Sequence, residues 1–212
     1  MSAVVSSAAS DRQWFIVGRW QEYEGEGRAN LLRIVAVGSF YTVQLVNYHL
    51  LTAQTPDAIL FHKKATALAV AWVMLSLAVL MCLRRQILPA VLKFASTGAD
   101  VALLSGLAIA GSGPESPLMF GYFLIIALAA LRFSLRLVWF ATLGCMAGYW
   151  ATVGAKDPVW FDADHTVEPV NQLLMLLSLG LTGIIVGQVI RRVRGLAEDY
   201  ARRMSTVEQG DK

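Results

Sequence analysis

Polar and apolar positions along this chain fall into long uncharged blocks separated by short clusters of Arg and Lys, which is the pattern of helices that cross a bilayer. The most informative block lies near the end. Residues 172–190 carry no charged side chain, and about 20 apolar residues at a rise of 1.5 Å cross a hydrocarbon core of roughly 30 Å. Arg191, Arg192 and Arg194 follow directly. No Pro comes after them, and Gly195 is the one helix-weakening residue before Met204, so the helix is expected to run on into water at a cost of about 1 kcal/mol for the glycine. Along this extension Ile190, Val193, Ala197, Tyr200 and Met204 are spaced three, four, three and four apart, an a/d seam among charged residues. The seam fits a short cytoplasmic stalk that pairs with another helix. The plainer alternative is a solvated, charged tail that anchors the span.

The same pattern places five earlier spans at 31–51, 65–83, 87–110, 118–131 and 137–153. The fourth is the shortest, and it reaches Phe133 only if Arg132 snorkels to the headgroups. Ahead of the first, Trp14, Phe15, Val17, Trp20 and Tyr23 are interspersed with charges, which fits a helix lying in the headgroup layer and ended by Gly25 and Gly27; a disordered leader is the alternative. The expected fold is all-α: a cytoplasmic leader over 1–30, a polytopic bundle of six transmembrane helices over 31–190, and a charged helical tail over 191–212.

Composition agrees, since 56% hydrophobic against 16% charged residues is too apolar for an ordinary soluble domain. The net charge of +3 is too small to imply nucleic-acid binding. Its placement says more. With the N-terminus inside, fourteen of the eighteen Lys and Arg fall on the inner side, Lys63, Lys64 and Lys156 fall outside, and Lys93 lies within the third span. Both termini are therefore expected in the cytoplasm. Dropping the fourth span would break the charge pattern at every later loop, so the count supports that span independently.

Candidate chemistry is sparse. Asp100 lies mid-way along the third span, where an ionised carboxylate costs at least about 2.5–3.5 kcal/mol and is expected to face the bundle interior, either as a ligand-binding group or as a hydrogen-bonded packing group. Tyr41, Gln44 and Tyr48 form a polar face on the first span beside Asn47, expected to look inward, so that Asp100, Gln44 and Asn47 are the expected surroundings of a ligand. His49, His62 and His165 are all placed near the outer surface, with Asp162 and Asp164 in the last loop. Imidazoles with carboxylates suit a metal ion, and two facing histidines suit haem b, but no pair has the i, i+3 or i, i+4 spacing that fixes two ligands on one helix face. No cofactor is therefore predicted. Gly183 and Gly187 in the last span, and Gly144 and Gly148 in the fifth, have GxxxG spacing, which admits a close helix neighbour within the bundle or from a second copy. Cys82 and Cys145 lie in separate spans and suggest neither a disulfide framework nor a metal site. No phosphate-cradling loop, zincin motif or Ser-His-Asp set is present, so the chain reads as non-enzymatic.

The block SPLMFGYFLIIALAALRFSLRLVWFATLGCMAGYW over 116–150, with its basic turn RFSLR, and the exit helix RRVRGLAEDYARRM resemble the membrane input regions of bacterial sensor histidine kinases and nucleotide cyclases. In architecture the resemblance covers 31–204. It implies a bacterial inner-membrane location and a last helix that passes a change in the bundle to a cytoplasmic output domain. No kinase or cyclase motif follows within 212 residues, so the expected signalling role acts through a separate partner or a second copy, or these residues are part of a longer protein. The expectation is a sensor or anchor module in the lipid bilayer. A haem- or metal-holding subunit of a larger membrane complex is the alternative, and a small transporter the third.

Overall fold

The structure is a computed structural model that describes residues 2–51, 55–86, 90–156 and 168–210, with side chains described at 23–50, 55–86, 91–156, 168–197 and 199. The described residues form six α-helices: α1 (Ser2–Val46), α2 (Pro56–Arg84), α3 (Ala90–Ala110), α4 (Gly121–Ala130), α5 (Leu135–Lys156) and α6 (Pro169–Gly210). Among the described residues five segments are long and apolar enough to cross a membrane: Tyr23–Leu50, Pro56–Arg84, Val91–Ala110, Leu135–Lys156 and Pro169–Ala197. Their outward faces carry large apolar side chains, such as Leu31 and Val43 on α1, Met74 and Met81 on α2, and Leu173 and Ile185 on α6. An all-helical bundle with such faces fits a multi-pass membrane protein.

Local chemistry explains most helix ends. At α2 the Thr55 hydroxyl accepts from the Ala58 N–H at 3.3 Å, Pro56 stands at the first helical position and Asp57 in the first turn, so orphan donors and the helix dipole are both answered. Gln86, just past Arg84 and Arg85, takes a left-handed φ of 57° where the helix has stopped. Pro89 falls outside the described residues. The turn between α4 and α5 places Phe133 at a φ of 48°. Arg194 of α6 donates to the Phe133 carbonyl, so the last helix caps this turn.

One expectation needs correcting, and a second is met only in part. Gly25 and Gly27 do not end a separate leader helix, because α1 is unbroken from Ser2 to Val46. Glycine weakens a helix by only about 1 kcal/mol, and at Gly25 its bareness is used: a Cβ there would lie 2.9 Å from the Leu131 carbonyl oxygen. The expected fourth span, 118–131, is a 3-10 turn, Pro117–Phe120, followed by the ten residues of α4. Together they rise about 23 Å, short of a full hydrocarbon core. Where the other long helices keep a lipid-like face, α4 is enclosed: Tyr122, Ile125, Ile126, Leu128 and Ala129 are all buried.

The core centres on α5, which packs against α3, α4 and α6, while α1 and α2 pack on each other, α2 on α3 and α1 on α4. Small residues set these distances. Gly148 approaches Ser105 and Val101 of α3 so closely that an added Cβ would meet Ser105 Oγ at 2.6 Å. Gly183 of α6 lies against Thr142 of α5 with no room for a Cβ, and Gly187 faces Leu135 of α5. Both GxxxG pairs thus lie within the bundle of one chain.

Candidate functional site

Polar residues recur at helical spacing on three neighbouring helices. Glu26, Asn30 and Arg33 follow at i, i+4 and i+7 on α1; Trp72 and Ser76 at i, i+4 on α2; Lys93, Ser96, Thr97 and Asp100 at i, i+3, i+4 and i+7 on α3. Each set forms one face, and the three faces meet. Arg33 donates from Nε (3.1 Å) and Nη2 (2.8 Å) to the same Asp100 oxygen, Oδ2. Trp72 Nε1 donates to Asp100 Oδ1 at 2.8 Å. Behind them Arg33 Nη1 donates to Asn30 Oδ1 at 2.8 Å, and Asn30 Nδ2 donates to the Ser76 carbonyl at 3.1 Å. Arg33 and Asp100 are 3% and 4% exposed, so water cannot supply the missing solvation and each ion depends on the other.

A second buried pair lies one step along the same faces. Arg132 does not snorkel to headgroups; it is 7% exposed and its guanidinium is turned into the bundle. Nη2 donates to Glu26 Oε1 at 2.7 Å and Ser96 Oγ at 3.2 Å, and Nη1 donates to Thr97 Oγ1 at 2.6 Å and the Lys93 carbonyl at 3.1 Å. One guanidinium thereby ties the end of α4 to α1 and α3. Burial lowers its pKa from the ordinary arginine value; Glu26 opposes that shift and Arg33 adds to it. Among the described residues Glu26 Oε2 and Arg132 Nε have no hydrogen-bond partner, so the pair is single-pronged rather than a bidentate fork.

From the Arg33–Asp100 pair a cleft of about 510 Å³ runs along α1 between α2, α3 and α4. Arg33, Trp72 and Asp100 line one end, Gln44 and Asn47 the other, and its walls are mostly apolar. Tyr41 lies on the wall between, bonded through its hydroxyl to Thr66 Oγ1 at 3.0 Å. Asp100, Tyr41, Gln44 and Asn47 therefore share one cavity, of a size usual for small-molecule sites.

The remaining candidates are elsewhere. His49, in the π-helical turn Asn47–Leu51 that ends α1, and His62 on α2 have ring centroids 6.1 Å apart, with Tyr48 stacked on His62 at 4.1 Å. His165, Asp162 and Asp164 lie outside the described residues. Among the described residues no three His, Cys, Asp or Glu converge on a point that would hold a metal ion. On α6, Ile190 is buried in the bundle, Val193 is 44% exposed and Ala197 is exposed; Tyr200 and Met204 continue the helix, with side chains outside the described set.

Sequence pattern alone points to Asp100 but not to Arg33, Trp72, Glu26 or Arg132. The signal was the polar spacing on α1 and α3, which matches face to face; as single residues, Arg33 and Arg132 look like flanking charges at a membrane surface. Compared with protein-family models, with curated proteins and with solved structures, the chain finds no match in any of the three.

Proposed function

We propose that this chain is a non-enzymatic, six-span module of the bacterial inner membrane, with both termini in the cytoplasm. In this reading a ligand or membrane property is sensed in the cleft and relayed through α6 to a cytoplasmic partner or a second copy of the chain. The observation that carries it is α6 itself. The helix is unbroken over Pro169–Gly210, is seated in the bundle at Leu179, Gly183 and Ile190, and leaves Val193 and Ala197 uncovered. A helix that begins inside a packed bundle and ends outside it carries a shift or rotation along its length. A ligand biases that shift by no more than its difference in affinity for the two packings.

Charge placement supports the orientation. With Arg33 and Arg132 set aside as buried, twelve of the remaining sixteen Lys and Arg still fall on the inner side of a six-span chain. The sixth crossing in this reading is Pro117–Ala130. Its short length is tolerable because protein, not lipid, surrounds it. The test is oxidative crosslinking of the full chain in membranes with Cys placed at Val193, Ala197 or Tyr200. Dimers above the level of the parent chain are expected at the seam. Monomers at all three positions overturn pairing, and reporter fusions that put head and tail on opposite sides overturn the even count.

A further inference from the structure

The cleft has a shape and polarity that identify its occupant more narrowly than the receptor reading on which this inference rests. Its two ends, Arg33 on α1 and Asn47 at the start of the π-helical turn that follows, are fourteen residues apart, about 21 Å at the α-helical rise. It is therefore long relative to its volume of about 510 Å³. Phe40 and Val43 are both lining residues and 48% and 68% exposed on the outside of α1, so the cleft opens sideways onto the apolar surface of the bundle, where lipid chains lie. Its two charged lining residues, Arg33 and Asp100, are bonded to each other. No charge in the wall is left over to neutralise an ionic headgroup, and burying one unpaired would be costly.

At the far end the wall is polar but uncharged. Gln44 faces the cleft, and its amide makes no hydrogen bond among the described residues. An amide at membrane depth without a partner is costly, so it points to a hydrogen-bonding group supplied from outside the chain. Ser112 and Ser116 line the cavity as well. We infer that the cleft binds an uncharged, single-chain lipid from the bilayer, its carbonyl- or hydroxyl-bearing head hydrogen-bonded to Gln44 and its chain lying along α1 toward Trp72. Entry is lateral, past Phe40 and Val43. The Arg33–Asp100 pair closes the inner end and contacts the chain terminus without changing partners.

The test uses the full chain in nanodiscs and a monoacylglycerol carrying a diazirine in its chain, with labelled residues located by mass spectrometry. The lysophosphatidate of the same chain is the anionic competitor. Labels are expected on Val37, Leu124 and Leu128 inside the cleft, with weaker competition by the lysophosphatidate than by unlabelled monoacylglycerol. Gln44→Leu removes an amide that bonds to nothing in the described fold, so the bundle is expected to remain intact while affinity for the monoacylglycerol falls about two- to tenfold, the value of one hydrogen bond. Equal labelling of the outward residues Val70 and Ile185 overturns the inference, as does equal competition by lysophosphatidate or an unchanged affinity in Gln44→Leu. These readouts concern binding alone. Failure of crosslinking at Val193, Ala197 and Tyr200 would overturn pairing through α6 and leave the labelling pattern untouched.

Discussion

The pairing of Arg33 with Asp100 makes a prediction whose magnitude follows from burial. In Asp100→Leu the Arg33 guanidinium remains 3% exposed and keeps Asn30 as acceptor while losing both bonds to Oδ2. In Arg33→Met the carboxylate keeps only Trp72 as donor. Each leaves an ion out of water without its counterion, and breaking a buried pair from one side costs about 3–5 kcal/mol. The double variant removes both ions. What it leaves is a half-buried Trp72 N–H without its acceptor and an Asn30 that still donates to Ser76, a loss of about 1–3 kcal/mol. The double variant should therefore be more stable than either single one, with a coupling energy of at least about 3 kcal/mol, at or beyond the upper end for residues in direct contact. Asp100→Asn belongs between wild type and Leu, since it keeps one oxygen for either Trp72 or Arg33 and loses the charge.

Reversible unfolding in mixed micelles, titrated with sodium dodecyl sulfate and followed by circular dichroism, measures all five species. Single variants that each cost less than about 1 kcal/mol, with a double variant additive within roughly 0.5 kcal/mol, would refute the reasoning. They would mean that the two groups are solvated separately and that Asp100 reaches water.

Two further predictions use the same titration. Gly183→Ala should cost about 1–3 kcal/mol, because its Cβ collides with the fully buried Thr142, whereas Gly180→Ala and Gly195→Ala, where an added Cβ meets nothing within 4 Å, should gain up to about 1 kcal/mol from helix propensity. Arg132→Lys keeps the charge but cannot serve Glu26, Ser96, Thr97 and the Lys93 carbonyl together; a loss of about 2 kcal/mol is expected, and an unchanged midpoint would refute the assignment of these four bonds to one guanidinium.

Much of the helical layout was legible in the chain, because uncharged blocks of about 20 residues admit few other structures in a bilayer. What escaped was whatever depends on which way a charged side chain turns. Arg33 and Arg132 stand beside apolar blocks, where a Lys or Arg ordinarily reaches the headgroups; only contact with Asp100 and Glu26 reveals them as interior groups. Glu26 was hidden further, since it lies between two glycines that read as a helix end. Asp100 could be found alone because an acid in the middle of an apolar span has no surface to reach. The glycine spacing in α5 and α6 was visible, but not its partners: Thr142 and Ser105 are ordinary small residues until the helices are brought together.

The contacts between the cleft and α6 limit how the proposed relay can operate. Gly121 of α4 is held against Leu104 of α3, where a Cβ would meet Leu104 Cδ2 at 2.9 Å. The Tyr122 hydroxyl bonds Ser105 of α3 at 2.8 Å and Thr152 of α5 at 3.4 Å. With Gly148 seated on Ser105 and Val101, α3, α4 and α5 form one interlocked body, and such packing shifts between discrete arrangements rather than deforming by degrees. In the proposed relay a ligand beside α1 therefore has two mechanical routes: it moves α1 against this body, or it moves the body against α6. The first must strain Arg33–Asp100 and Glu26–Arg132 together, since both pairs anchor α1. The second must break the fit of Gly183 on Thr142 and the bond from Arg194 to the Phe133 carbonyl. Among the described residues it involves no buried ion pair, so it is the cheaper route, and Arg194 is the α6 residue whose loss should most directly uncouple that helix from the bundle.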